Sequence, residues 1–266
     1  MQSFSDFLSF SSLTNLPGLQ HSITTRSGGV SEGPYASLNL GYHVGDDAAQ
    51  VTQNRQHLGN ALGYDAASLV CAQQVHEAQA VVVNSALSGQ GALDWQSAVP
   101  ATDALIVQES KLPILILVAD CAPLLMVDPI HHVLAVVHAG WRGAVAGVSS
   151  NVLACLQQQF QSHPNNIRVG IGPCLCPDCF EIGAEVAEVA ASVYAPAVIP
   201  PAPHSGRQKP QLNLRGLLTH QLHAAGVKPE NIEALPHCPR CMPKMFFSHR
   251  CQQGTAGRFG LVAWWS

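Results

Sequence analysis

The chain has 266 residues, 47% of them apolar and 11% charged, which is ample material for a core and excludes an intrinsically disordered polymer. Its formal charge of −4, from 13 basic and 17 acidic residues, comes with no Lys/Arg run, so neither nucleic acid nor an anionic membrane is an expected partner. The first ten residues lack the positive and apolar segments of a secretory leader, and no apolar run approaches about 18 residues, so a soluble cytoplasmic protein is expected.

In chain order, residues 1–20 mix Phe and Leu with Ser and Asn and predict a starting strand or turn, followed by a short strand over 21–25. Arg26-Ser27-Gly28-Gly29 makes a tight turn. Residues 31–45, punctuated by Gly33, Pro34, Gly41 and Gly45, read as a long loop of the kind that carries function. A helix follows over 46–62: Asp46 or Asp47 caps it, Val51, Leu58 and Leu62 fall at helical spacing, and Gly63 stops it. Residues 68–83 predict two strands or one bent one, with His76 near the break, and the Gly-, Ser- and Ala-rich stretch 85–102 a loop.

Strands are expected over 103–107, 112–118, 124–127 and 132–137, the last two joined by a turn at Asp128-Pro129. Over 144–160, Val145, Val148, Val152, Leu153, Leu156 and Phe160 trace one helical face, entered through residues 140–143, which sets His138 beside a helix N-terminus. Beyond it come a strand over 167–171, a helix over 183–194, a Pro-rich excursion over 195–209 and a helix over 212–225 stopped by Gly226. Strands over 232–235 and 260–264 close the chain. With no internal repeat and no dividing linker, residues 1–266 read as a single α/β domain with a mixed, largely antiparallel set of strands.

The chemistry sits at strand ends. The apolar runs 112–118 and 133–137 each lead into a residue that binds soft or borderline metals, Cys121 and His138, and the segment 70–76 delivers His76 in the same way. Their separations are too long for a zinc-finger knuckle and suit ligands gathered from separate strands; three protein ligands with an open fourth position is the pattern of a catalytic zinc. Each residue alone has an ordinary reading as a core or surface group. The nine cysteines, an odd count without a leader, favour thiols or metal ligands over a disulfide framework. Six cluster: Cys174, Cys176 and Cys179, then Cys238, Cys241 and Cys251. A second, structural zinc and a set of free thiols both stay open; with no zinc ribbon legible around either cluster, free thiols are the expectation.

Several blocks together resemble the YfiH family of laccase-domain proteins, described both as polyphenol oxidases and as purine nucleoside phosphorylases. They are Gln74-Val75-His76, Thr102-Asp103-Ala104-Leu105, Ala119-Asp120-Cys121, Val137-His138-Ala139-Gly140-Trp141-Arg142-Gly143, and the segments 25–31, 34–41, 43–47, 54–55, 171–174 and 246–250. The resemblance implies a three-layer α/β fold of the α+β type. It also implies metal ligation by His76, Cys121 and His138, with zinc as the cofactor and copper as the alternative. Two departures stand out: Glu77 replaces the family's usual glycine, where it would narrow the pocket, and Arg250-Cys251 replaces a doubled arginine.

The implied activity is phosphorolysis of adenosine, inosine and related nucleosides, with adenosine deamination at the same metal. A nucleoside and phosphate would then be the small-molecule partners, while the oligomeric state stays open. Asp103 and Asp120 are the candidate acid/base or ligand-orienting carboxylates, with a structural cap or acceptor as the equal alternative. Arg26, Arg55, Arg142 and Arg250, with Ser37 and Asn39, are the candidates for phosphate and ribose. Two other chemistries fit the same residues. One is copper-dependent polyphenol oxidation, for which only His131-His132 suggests a paired-histidine site. The other is a cysteine hydrolase with Cys121 as nucleophile and His138 as base, acting on a cell-wall precursor.

Overall fold

In the computed structural model, which describes residues 7–201 and 208–266, two apolar runs separated by three residues lie in different sheets. The chain begins with β1 (Leu19–Ile23), α1 (Ala48–Leu62), β2 (Val70–Cys71), β3 (Ala80–Val82), β4 (Ala104–Val107), β5 (Ile114–Val118), β6 (Ala122–Asp128) and β7 (Val133–Ala139). It continues with α2 (Trp141–Val145), α3 (Val148–Phe160), β8 (Arg168–Ile171), α4 (Ala184–Tyr194), β9 (Val198–Ile199), β10 (Gln211–Leu212), α5 (Leu214–Ala224), β11 (Ile232–Ala234) and β12 (Phe259–Trp265).

One sheet has the order β1-β12-β5-β2, the other β11-β8-β6-β7-β4-β3, and β9 pairs with β10 apart from both. Among the described residues six of the nine strand pairings are antiparallel; β2 with β5, β3 with β4 and β8 with β11 are parallel. The strands are thus mixed and largely antiparallel, as expected, and divide between two main sheets packed face to face. Sidedness accounts for the continuous apolar runs: every residue of β6 and β7 is buried, because each strand has a covered surface on both faces. Ala122, Leu124, Met126, Val137 and Ala139 face the helices α2 to α5, while Leu125, Val127, Leu134 and Val136 meet Ile114, Ile116 and Phe259 between the sheets. On the outer face of the four-stranded sheet, α1 and the glycine-rich loop supply Leu58, Leu38 and Leu40 against Leu115 and Leu117. Emptying such a position, as in Leu125→Ala, costs about 2–5 kcal/mol.

Local signals set the helix ends. Asp47 accepts from the Ala49 N–H at 2.8 Å, and Gly63, at φ +83°, ends α1. The helix expected over 144–160 is two, broken at Gly147 with φ +81°. The first of them is five residues long and starts from Gly140 as its N-cap, two residues beyond His138. The Pro-rich excursion falls partly outside the described residues; its visible start is a 3-10 turn followed by β9. Among the described residues no helix is long and apolar enough to cross a membrane.

Candidate metal centre

Twice near the same end of the molecule the chain passes from one sheet to the other. Residues 72–79 run from β2 to β3 and residues 119–121 from β5 to β6, and each passage turns on a non-glycine residue in left-handed conformation, His76 at φ +64° and Asp120 at φ +95°. The first carries His76 and the second Cys121. β7 brings His138 beside them, since Pro123 lies opposite His138 in the β6/β7 ladder. The ligand atoms of His76, Cys121 and His138 all lie within 4.8 Å of one another, and the two imidazoles meet edge to face with centroids 4.7 Å apart. A side chain at Gly140 would crowd this set, because a Cβ there would sit 3.1 Å from both Cys121 Sγ and His76 Cδ2.

Asp103, one residue before β4 and buried, fixes two of the three. Its Oδ1 meets His138 Nδ1 at 2.7 Å, which directs Nε2 toward the cluster, and accepts the His76 N–H at 3.0 Å. Its Oδ2 accepts the Val75 and Glu77 N–H groups at 3.2 and 2.8 Å, so four donors converge on one carboxylate and hold it below its ordinary pKa despite burial. Burial alone would raise the Cys121 thiol, but His138 and His76 beside it prevail and lower it to about 6. Burial likewise disfavours imidazolium at His138, and the Cys121 thiolate with the Asp103 carboxylate overcomes it, raising His138 to about 9. The soft thiolate and two imidazoles fit a borderline metal such as zinc with one position left for another group.

Asp120 reaches elsewhere. Its Oδ1 accepts from Ser248 Oγ at 2.6 Å and its Oδ2 from the Arg250 N–H at 2.7 Å, which ties residues 246–250 to the sheet crossing.

The cluster lies in a cavity of about 640 Å³ whose wall includes His43, Trp141, Arg142, Phe180, Arg250 and Arg258. Arg142 lies over the Trp141 ring at 4.4 Å. Arg250 lies over Phe180, and its Nη1 donates to the Glu181 and Cys179 carbonyls at 2.8 and 3.3 Å. Arg258, just before β12, donates through Nη1 to the Ala256 and Gly257 carbonyls. Arg258, His43 and His249 belong to the wall although sequence reasoning gave them no role; the signal for Arg258 is a lone cation beside a long apolar strand.

Four candidates for phosphate or ribose do not reach the wall. Arg26 donates to the Ala36 and Pro243 carbonyls at 2.9 and 2.8 Å, and Ser37 Oγ accepts from Gly29 N–H at 3.1 Å. Asn39, buried, accepts from the Gly41 and Arg258 N–H groups. Arg55, 2% exposed, donates to the Leu40, Gly91 and Ala92 carbonyls. All four brace the glycine-rich loop, which leaves Arg142 and Arg250 as the two expected arginines in the cavity. Glu77 is exposed and is not among the lining residues, so it does not narrow the pocket. His131 and His132 sit in the turn at the opposite end of β6 and β7.

A family model described as multi-copper polyphenol oxidoreductase laccase matches residues 20–266. Purine nucleoside phosphorylase YlmD of Geobacillus stearothermophilus is 36% identical over 236 residues, 89% of this chain and 86% of that protein. Adenosine deaminase RL5, from an unknown prokaryotic organism, is 32% identical over 246 residues, 92% of this chain and 93% of that protein. The crystal structure of YlmD from Geobacillus stearothermophilus matches with a TM-score of 0.92 at 32% identity, covering 100% of this chain and 98% of that one. A Bacillus licheniformis structure titled as hypothetical protein YfiH matches with a TM-score of 0.90 at 27% identity, covering 99% and 100%. The chain therefore belongs to the YfiH family of laccase-domain proteins.

Proposed function

We propose that the protein is a purine nucleoside phosphorylase acting on adenosine, inosine and related nucleosides with phosphate, and that it also deaminates adenosine. The observation that carries this reading is the open His76, Cys121, His138 set within a cavity walled by Trp141 and by Arg142, Arg250 and Arg258. The cavity's size lies in the range of about 300–1,000 Å³ usual for small-molecule sites. Names of relatives support the same reading, one being a purine nucleoside phosphorylase and another an adenosine deaminase.

His76, Cys121 and His138 would hold zinc, which when bound lowers the pKa of water and polarises an oxygen at neutral pH. In deamination, water adds at C6 of the purine and ammonia leaves, giving inosine. In phosphorolysis, a phosphate oxygen attacks C1′ while N9 departs, giving the free base and ribose 1-phosphate. The chain's own residues bind and orient. Arg258 and Arg250 supply positive charge for phosphate at the wall, and Trp141 offers an aromatic face to a base. Asp103 and Asp120 act as positioning residues in this reading, because all four of their oxygens already accept hydrogen bonds.

One observation favours a second reading. Cys121, His138 and Asp103 form a relay in which a thiolate lies beside an imidazole oriented by a carboxylate, the arrangement of a cysteine hydrolase, for instance on a cell-wall precursor. Copper-dependent polyphenol oxidation draws less support: a His₂Cys set also suits copper, but among the described residues the other group able to gather three or more metal ligands is all-cysteine and not the second histidine cluster that multicopper chemistry needs.

Product chromatography tests the proposal. Wild type and Cys121→Ser are incubated with adenosine, with and without phosphate. Adenine and ribose 1-phosphate formed only with phosphate, or inosine without it, all lost in the variant and on chelation, is the expected result. Unchanged adenosine in every tube overturns the purine reading. Hydrolysis that survives chelation but not alkylation moves the assignment to the cysteine hydrolase.

A further inference from the structure

Four of the cysteines outside the candidate active site converge. Cys176 and Cys179 lie in the loop after β8, and Cys238 and Cys241 in the loop after β11, the parallel neighbour of β8. Their four Sγ atoms all fall within 4.8 Å of one another. Cys179 Sγ lies 3.4 Å from Cys241 Sγ, and Cys176 Sγ lies 3.8 Å from it. Both distances are far longer than a disulfide, about 2.05 Å. They are close to the edge of a tetrahedron of sulfurs around zinc, about 3.8 Å for Zn–S bonds of about 2.3 Å. Each pair has C-x-x-C spacing, and the backbone N–H groups of Cys176 and Cys241 point at the Cys238 sulfur, as donors do in a zinc knuckle. The parallel pairing of β8 with β11 brings the two knuckles together without a ribbon of hairpins, which is why no zinc ribbon is legible in the sequence.

We infer that Cys176, Cys179, Cys238 and Cys241 bind a second zinc ion in a closed tetrathiolate site. Four protein thiolates leave no open position, so this ion is structural. Its place in the fold gives it a task. Phe180, next to Cys179, is part of the cavity wall, and Arg250, also in that wall, donates to the Cys179 carbonyl at 3.3 Å. Arg240 donates to the same carbonyl at 3.4 Å, which brings a second cation near the charge of a tetrathiolate. The site would staple two loops that build one side of the cavity. Such a staple serves the cavity whichever substrate it takes.

The test is metal content per chain in protein purified under reducing conditions. Wild type should carry two equivalents of zinc, Cys121→Ser one, and Cys176→Ser/Cys241→Ser one, with a lower Tm in the double variant alone. Should the double variant fail to fold, cobalt loaded into Cys121→Ser reads the site directly, through sulfur-to-cobalt charge transfer and the intense visible bands of a tetrahedral tetrathiolate. Absence of zinc from Cys121→Ser, iron in its place, a mass deficit revealing disulfides, or free alkylation of all four thiols in the native protein would each overturn the inference.

Discussion

His138 and Asp103 are joined twice, by the His138 N–H to the Asp103 carbonyl at 2.7 Å and by His138 Nδ1 to Asp103 Oδ1 at 2.7 Å. The pairing of β7 with β4 thus sets both the position of the imidazole and the direction of its Nε2. Asp103→Asn should expose the importance of the second bond. An amide nitrogen cannot accept, so two of the four converging donors lose their partner, and a buried donor left unpaired costs about 1–3 kcal/mol. Zinc affinity, measured by competition with a chromogenic chelator, should fall by about 10–100-fold. A lower Tm with unchanged affinity would mean that Asp103 merely anchors the residue 75–77 loop.

Gly140 separates packing from stability. Its φ of −74° suits any residue, so Gly140→Ala should leave Tm nearly unchanged. The new Cβ, however, would stand 3.1 Å from Cys121 Sγ and from His76 Cδ2, forcing both to give way. Weaker zinc binding with a Tm within a degree or two of wild type is the expected pair of results; retained affinity would show that the His76 loop yields freely.

How far the sequence foreshadowed this arrangement depends on the range of the signals. Asp47 and Gly63 mark α1 because capping is local, and strand-end logic finds His76, Cys121 and His138 because apolar runs are visible without a partner. The division of the strands between two sheets was not legible. That outcome turns on a left-handed Asp120, and no residue type or spacing announces a non-glycine residue there. Arg26, Arg55, Ser37 and Asn39 carry recognisable blocks, yet their polar atoms are engaged within the fold, and a sequence does not distinguish an arginine that binds a carbonyl from one that binds phosphate. The meeting of the two C-x-x-C pairs was hidden for a related reason: it depends on β8 and β11 being neighbours across more than 60 residues of chain.

Acid should destabilise the fold through His21. Burial lowers its pKa to about 4, the Glu233 carboxylate opposing only in part, and its Nε2 accepts the Phe10 N–H at 3.0 Å, which requires that nitrogen unprotonated. Because the folded pKa lies below the unfolded value of 6.5, the contribution is complete above pH 6.5 and is lost as pH falls toward about 4. The loss should be on the order of 2 kcal/mol. Glu233, itself held below its ordinary pKa by Ser11 and Ser12 despite some desolvation, loses its contribution in the same direction. His21→Gln, whose amide oxygen can still accept from Phe10, should remove only the histidine part, so its urea midpoint should fall less than that of wild type between pH 6.5 and 4. Parallel curves for the two proteins would show that His21 does not titrate on folding.

Arg258 offers a way to part the two proposed reactions. Its guanidinium belongs to the cavity wall, where burial lowers its pKa and the Cys121 and Asp120 charges oppose that. A hydrogen bond to a charged group is worth about 1.5–3 kcal/mol, or about 10–100-fold in binding. Arg258→Met should therefore raise KM for phosphate by roughly that factor in phosphorolysis, while adenosine deamination, which consumes no phosphate, stays within about threefold of wild type. Arg258→Lys, which retains the charge without the planar fork, should recover part of the phosphate affinity. Equal loss of both activities together with a fall in Tm would instead show that the guanidinium serves mainly to hold the Ala256 and Gly257 carbonyls, and that phosphate must be met by Arg250 or Arg142.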